Sequence, residues 1–186
     1  MRRFFLSSVV LLSSAILVAC VADGSSSEDD ATDPDGDGDG GGDGGGGAYE
    51  ICINKINELR ATKGLDPYAR WSDGESCADQ QSAADEASGN AHGSFGDCGE
   101  SAQNQCLGGG AANIEGCLDM MWAEKDQAGC AGCDACADEY TPDCPDCDFY
   151  GNETGQQCGH YVNMRAEYFT MAACGFSTGW ATINFR

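Results

Sequence analysis

Ala91-His92-Gly93-Ser94-Phe95-Gly96-Asp97-Cys98-Gly99-Glu100-Ser101 places an imidazole and a carboxylate eight residues apart in a turn-rich stretch punctuated by glycine. The chain has only two histidines, and the second stands in Gly159-His160-Tyr161. Between them runs a helix-patterned stretch that ends Met121-Trp122-Ala123-Glu124. This order predicts that His92, Glu100, Glu124 and His160 converge on one cleft. Neutral imidazoles offer lone pairs to a borderline metal such as zinc, and a carboxylate either completes the coordination or fixes a histidine tautomer. His92 and His160 are therefore the candidate metal ligands, and Glu100 or Glu124 the candidate general base for activating water. The same four side chains also form a sensible set of charge-assisted hydrogen bonds with no metal at all.

Outward from this stretch the periodicity defines the elements. Ile53, Ile56, Leu59 and Arg60 recur at helical spacing within Tyr49 to Lys63, and Gly64 supplies the stop. Ser72-Asp73-Gly74-Glu75 reads as a capping box opening a second helix to about Ala87, with Ala78, Ala83, Ala84 and Ala87 as its expected buried face. A third helix is expected from Ile114 to Gln127, packed through Leu118, Met121 and Trp122. Phe169 to Phe176 and Trp180 to Phe185 read as two strands of a hairpin that closes a sheet, with Ala181, Ile183 and Phe185 alternating against Trp180, Thr182 and Asn184. Gly108-Gly109-Gly110 is a loop without a phosphate-cradling context.

Taken in order, Asn57, Arg60, Gly64-Leu65, Pro67, Trp71, His92, Gly99-Glu100, Glu124 and Gly159-His160-Tyr161 resemble the motif series of the CAP superfamily, which includes cysteine-rich secretory proteins, antigen 5 and plant pathogenesis-related proteins. The resemblance covers roughly residues 49 to 186. Ser101, Met121, Asn163 and Ala166 stand where that pattern usually has Asn, Trp, Gln and Trp. It implies an α+β fold, a three-layer α-β-α sandwich, with His92 beginning or following a strand into the cleft. It further implies an extracellular domain whose cleft can bind divalent metal, in a family with members that bind sterols or other lipids and no single shared catalytic activity.

Composition sets a folding problem. Only fifteen Ile, Leu, Val and Phe residues occur from residue 48 onward, too few for a highly charged chain to fold on apolar burial alone. Thirteen cysteines, twelve of them beyond residue 50, point to as many as six disulfides and an oxidising compartment. Cys130, Cys133, Cys136, Cys144 and Cys147 lie in a segment, 129 to 158, that is an insertion relative to the family pattern. Their spacing suits a disulfide-stapled loop in an exported chain, with a zinc knuckle or an iron-sulfur cluster as alternatives.

The amino end reads as an address. Met1-Arg2-Arg3 followed by the apolar run from Phe4 is an export signal, 1 to 19, and Leu17-Val18-Ala19-Cys20 resembles a bacterial lipobox, which implies lipidation of Cys20. Residues 20 to 47, rich in Asp, Gly and Ser, then form a disordered tether carrying the domain, 48 to 186, off the membrane. Asp33-Pro34-Asp35-Gly36-Asp37-Gly38-Asp39 copies the opening of a calcium loop but lacks the closing Glu, so an acidic spacer is expected ahead of a calcium site. Val21 after Cys20 favours the outer membrane of the cell envelope. The net charge of -22, about -24 once Arg2 and Arg3 leave with the signal, disfavours nucleic-acid binding.

No H-E-x-x-H motif fixes a reaction. Three functions stand open: a tethered binding module for a metal ion or a small apolar or peptide-like ligand, a metal-dependent hydrolase, and a disulfide-rich structural or adhesion domain that contacts an extracellular protein.

Overall fold

The computed structural model describes residues 44–136, 144, 146–155 and 157–186. The export signal, Cys20 and the acidic spacer lie outside them. The elements in chain order are α1 (Gly44–Ala61), β1 (Ala69–Arg70), α2 (Ser72–Ser88), β2 (Ala102–Leu107), α3 (Ile114–Ala123), α4 (Gly159–Arg165), β3 (Met171–Phe176) and β4 (Trp180–Phe185). The fold is thus mixed α and β around one four-stranded sheet in the order β1-β3-β4-β2, with β1 parallel to β3 and the other pairs antiparallel. The expected β3–β4 hairpin forms, but it occupies the centre of the sheet rather than its edge. No described helix is long and apolar enough to cross a membrane.

The strand alternation separates two chemically different faces. Ala172, Cys174, Ala181, Ile183, Phe185 and Cys106 belong to the apolar core with Ile53 and Ile56 of α1, Leu118 and Trp122 of α3, and Tyr161 and Met164 of α4. The other face presents Gln103, Gln105, Thr182 and Asn184, and it meets α2. Here the reading of α2 holds for Ala78 and fails for the other three alanines. Ala83, Ala84 and Ala87 are exposed, and the buried residues of α2 are Gly74, Glu75, Ala78, Gln81, Ser82 and Asp85. Burying amides and a carboxylate is tolerable because they satisfy one another, and no buried side-chain polar atom among the described residues is without a hydrogen bond. Gly175 makes the approach possible: a Cβ there would stand 2.1 Å from the Ala78 carbonyl carbon and 2.3 Å from the Asp79 nitrogen.

Other boundaries shift for local reasons. α1 starts at Gly44, so the last residues read as tether form its first turn. Ser72 does not cap α2, because Trp71 holds the cap position without a side-chain bond and Glu75 instead forms a two-pronged pair with Arg70 at 2.5 and 3.0 Å. α3 stops at Ala123, and Glu124–Asp126 tighten into a 3-10 turn.

Five disulfides join described residues: Cys52–Cys174, Cys77–Cys98, Cys106–Cys117, Cys130–Cys158 and Cys133–Cys147. Cys144 is disulfide-bonded as well. This content fits an extracellular protein. Cys52–Cys174 ties α1 to the central strand across 122 residues, a loop long enough for the cross-link to remove on the order of 4–5 kcal/mol of chain entropy from the unfolded state. Arg60 adds a polar pin: buried in α1, it donates to the carbonyls of Asp66, Met164 and Ala166 and lies 3.6 Å from the Tyr68 ring centroid.

Candidate functional site

A cleft of about 760 Å³ opens at the end of the sheet where β2, α4 and the cysteine-rich segment meet. His92 and His160 both line it. Glu100 and Glu124 are buried and absent from its wall, so the expected quartet divides into two presented imidazoles and two concealed carboxylates.

His160 is in the first turn of α4. Its Nδ1 stands 2.6 Å from Glu124 Oε1, while Glu124 Oε2 accepts the Tyr161 N–H at 3.0 Å. The turn that ends α3 therefore delivers a carboxylate to the start of α4. A carboxylate accepts only, so in the neutral imidazole the proton sits on Nδ1 and Nε2 keeps its lone pair.

His92 is held differently. It does not begin a strand: it sits in the turn after α2 at φ 60°, a left-handed conformation in which a non-glycine residue needs outside support. Two glutamines of β2 provide it. Gln105 Oε1 accepts the His92 N–H at 2.7 Å, and Gln103 Oε1 lies 2.9 Å from His92 Nδ1. The orientation of Gln103 is set in turn, since its amide nitrogen donates to Gln81 Oε1 and Asn184 Oδ1 at 3.3 and 3.2 Å. An oxygen facing Nδ1 puts the proton on Nδ1 of His92 too, and Nε2 again carries the lone pair. Among the described residues neither Nε2 has a hydrogen-bond partner.

Glu100 makes no bond to His92. Its Oε1 accepts from Gln81 Nε2 at 2.6 Å and from the Gly96 N–H at 2.7 Å, and its Oε2 accepts the Cys98 N–H at 3.0 Å. It closes the loop that carries Phe95, which Cys77–Cys98 also fastens to α2. A carboxylate with three donors, off the cleft wall, has no geometry for taking a proton from a water in the cleft. Glu124, with both oxygens engaged, is placed to orient His160 instead.

The rest of the wall escaped the sequence reading. Phe95, Phe149, Tyr150, Tyr168 and Phe169 make it aromatic, and among the described residues no Asp or Glu side chain lines it. Phe149 and Tyr150 come from the cysteine-rich segment, which is therefore part of the cleft. That segment is folded around Asp148, whose carboxylate accepts the N–H groups of Asn152, Glu153 and Thr154 at 2.8, 2.8 and 2.6 Å. These donors, led by Thr154, hold the Asp148 carboxyl below the usual carboxylate range. The only sequence signal for the glutamine supports was Gln103-Asn104-Gln105 inside a strand, three amides where a sheet with a wet face would alternate with apolar residues.

Each Nε2 lone pair is of the kind a borderline divalent ion accepts. Among the described residues, no group of three His, Cys, Asp or Glu side chains containing His92 or His160 brings its donor atoms within 4.8 Å of one another. Cys130, Cys133 and Cys158 do meet that distance, but their sulfurs are committed to disulfides, so the zinc-knuckle and cluster alternatives lack thiolates in this oxidised form.

These features define a disulfide-rich α/β domain with an aromatic cleft and two tautomer-fixed imidazoles. No family model matches the chain, and neither the curated proteins nor the solved structures contain a match.

Proposed function

We propose that the chain is a CAP-like binding module of the cell envelope, a three-layer α-β-α sandwich held out on a lipidated Cys20, whose cleft takes a divalent metal ion, zinc by preference, at His92 and His160. One observation carries this reading: each imidazole has its Nδ1 against a protein oxygen, Gln103 for His92 and Glu124 for His160, while both rings line the same cleft. Fixing Nδ1–H from behind is how a protein readies a histidine ligand. Bound there, the ion supplies a Lewis-acidic contact for an oxygen or nitrogen of a small or peptide-like ligand, and the aromatic wall covers the ligand's apolar part.

Metal-dependent hydrolysis is the weaker reading. Both carboxylates that would act as general base are occupied by other donors. A structural or adhesive role is weaker too, because the cysteine-rich segment contributes Phe149 and Tyr150 to the cleft rather than standing apart from it.

The test is calorimetric zinc titration of the oxidised protein beside a His92→Ala, His160→Ala double variant with the same disulfides. Saturable one-site binding that vanishes in the variant supports the reading. Binding that persists there, or none in either protein, sinks it.

A further inference from the structure

The cleft contrasts with its surroundings in charge. The chain has 31 Asp and Glu against 9 Lys and Arg, and the described lysines are already spent on acidic partners: Lys55 with Asp119, Lys63 with Asp134, Lys125 with Asp126. Arg70 pairs with Glu75, and Arg60 and Arg165 are buried. The outer surface is consequently left with unbalanced negative charge. Three exposed carboxylates adjoin the aromatic wall in sequence and enter no ion pair among the described residues: Asp97 two residues after Phe95, Glu153 three after Tyr150, and Glu167 immediately before Tyr168. Inside, among the described residues, no carboxylate side chain lines the wall and the one formal side-chain cation there, Arg186, rests 5.4 Å from the Trp71 ring.

Two of the wall aromatics are unusually open. Phe95 is 49 % and Tyr150 60 % exposed, yet each belongs to a segment pinned by disulfides, Cys77–Cys98 for the first and Cys130–Cys158 with Cys133–Cys147 for the second. An aromatic side chain buries a large area on binding at the cost of few rotatable bonds, and a backbone already pinned by disulfides has less freedom left to lose.

We propose that the cleft seats an apolar side chain of a lysine- or arginine-rich peptide segment, with Phe95 and Tyr150 gripping the anchor and Asp97, Glu153 and Glu167 facing the flanking cations. This rests on the proposed ligand-binding role of the cleft and names its ligand class. An apolar hollow in an acidic surface is complementary to a neutral anchor between positive charges, and the surrounding field draws such a segment in from solution.

The experiment is fluorescence anisotropy of the oxidised protein with short capped peptides that have a central phenylalanine flanked by lysines, a central serine flanked by lysines, or a central phenylalanine flanked by glutamates. Zinc calorimetry is run on the same samples. The lysine-flanked phenylalanine peptide is expected to bind at least about tenfold tighter than the other two. Its affinity is expected to fall as salt rises. Phe95→Ala with Tyr150→Ala, both at exposed positions, should weaken it about tenfold or more, and Asp97→Asn with Glu153→Gln and Glu167→Gln should flatten the salt dependence. Equal binding of the serine peptide, stronger binding of the glutamate-flanked peptide, or zinc binding with no peptide binding overturns the proposal. Peptide binding of the expected pattern without zinc binding sustains it and removes the metal reading alone.

Discussion

Glu124 holds His160 and the backbone behind it at once, one oxygen 2.6 Å from the ring Nδ1 and the other accepting the Tyr161 N–H at 3.0 Å. The pair locks the end of α3 to the start of α4 and decides which ring nitrogen faces the cleft. Glu124→Gln keeps one acceptor oxygen but cannot serve both donors. Zinc affinity is expected to drop about 10–100-fold, the usual cost of losing such a support, with the fold retained. Calorimetry beside a circular-dichroism melt separates the two effects.

His92 depends on an amide rather than a carboxylate. Gln103→Leu removes the oxygen at His92 Nδ1 and strands the Asn184 Oδ1 that Gln103 serves. Stability should fall by about 1–3 kcal/mol, and zinc binding should weaken because the ring loses its fixed tautomer. Denaturant unfolding and zinc titration of the same variant give both numbers.

Gly175 is required by packing rather than by backbone conformation. A methyl group there would overlap the α2 backbone at Ala78 and Asp79, at 2.1 and 2.3 Å. Gly175→Ala is expected to cost roughly 1–3 kcal/mol or more, since the neighbouring atoms are backbone and move only with the helix. A guanidinium melt of the oxidised variant reads this directly.

The acid limb of stability should contain a contribution from Asp148. Its carboxyl is held below the usual range chiefly by the Thr154 N–H, then by those of Glu153 and Asn152, with burial acting the other way. A depressed folded value means the stabilisation is fully present above the unfolded value of about 4 and disappears as pH falls through the folded value. Asp148→Asn should flatten the loss of stability below pH about 4. Unfolding free energies across that range, measured on both proteins, are the check.

Cys52–Cys174 spans more of the chain than the other disulfides between described residues. Replacing both cysteines by alanine should lower stability by about 2–5 kcal/mol. Cys106–Cys117, closing a separation of 11 residues, should matter less. Thermal melts of the two double variants rank them.

Much of the fold was readable because it repeats a local pattern. The helical spacing of Ile53, Ile56 and Leu59 and the alternation of Ala181, Ile183 and Phe185 require only that apolar groups leave water, and all six are buried where that spacing puts them. α2 was misread for the complementary reason. Its alanines looked like a packing face, but the sheet face it meets carries Gln103, Gln105, Thr182 and Asn184 from distant stretches, and only polar partners satisfy those.

The sequence by itself determined the two-histidine inventory, the need for cysteine cross-links in a chain poor in large apolar residues, and the helices and hairpin that periodicity marks. Tertiary structure alone decided the rest: that Glu100 closes a loop while Glu124 orients His160, that two glutamines rather than a carboxylate support His92, and that the cysteine-rich segment brings Phe149 and Tyr150 to the same cleft. Periodicity reports where one element meets solvent or core. A hydrogen-bond partner is chosen by geometry between residues far apart in the chain, such as Gln81 and Asn184, and no local pattern encodes that choice.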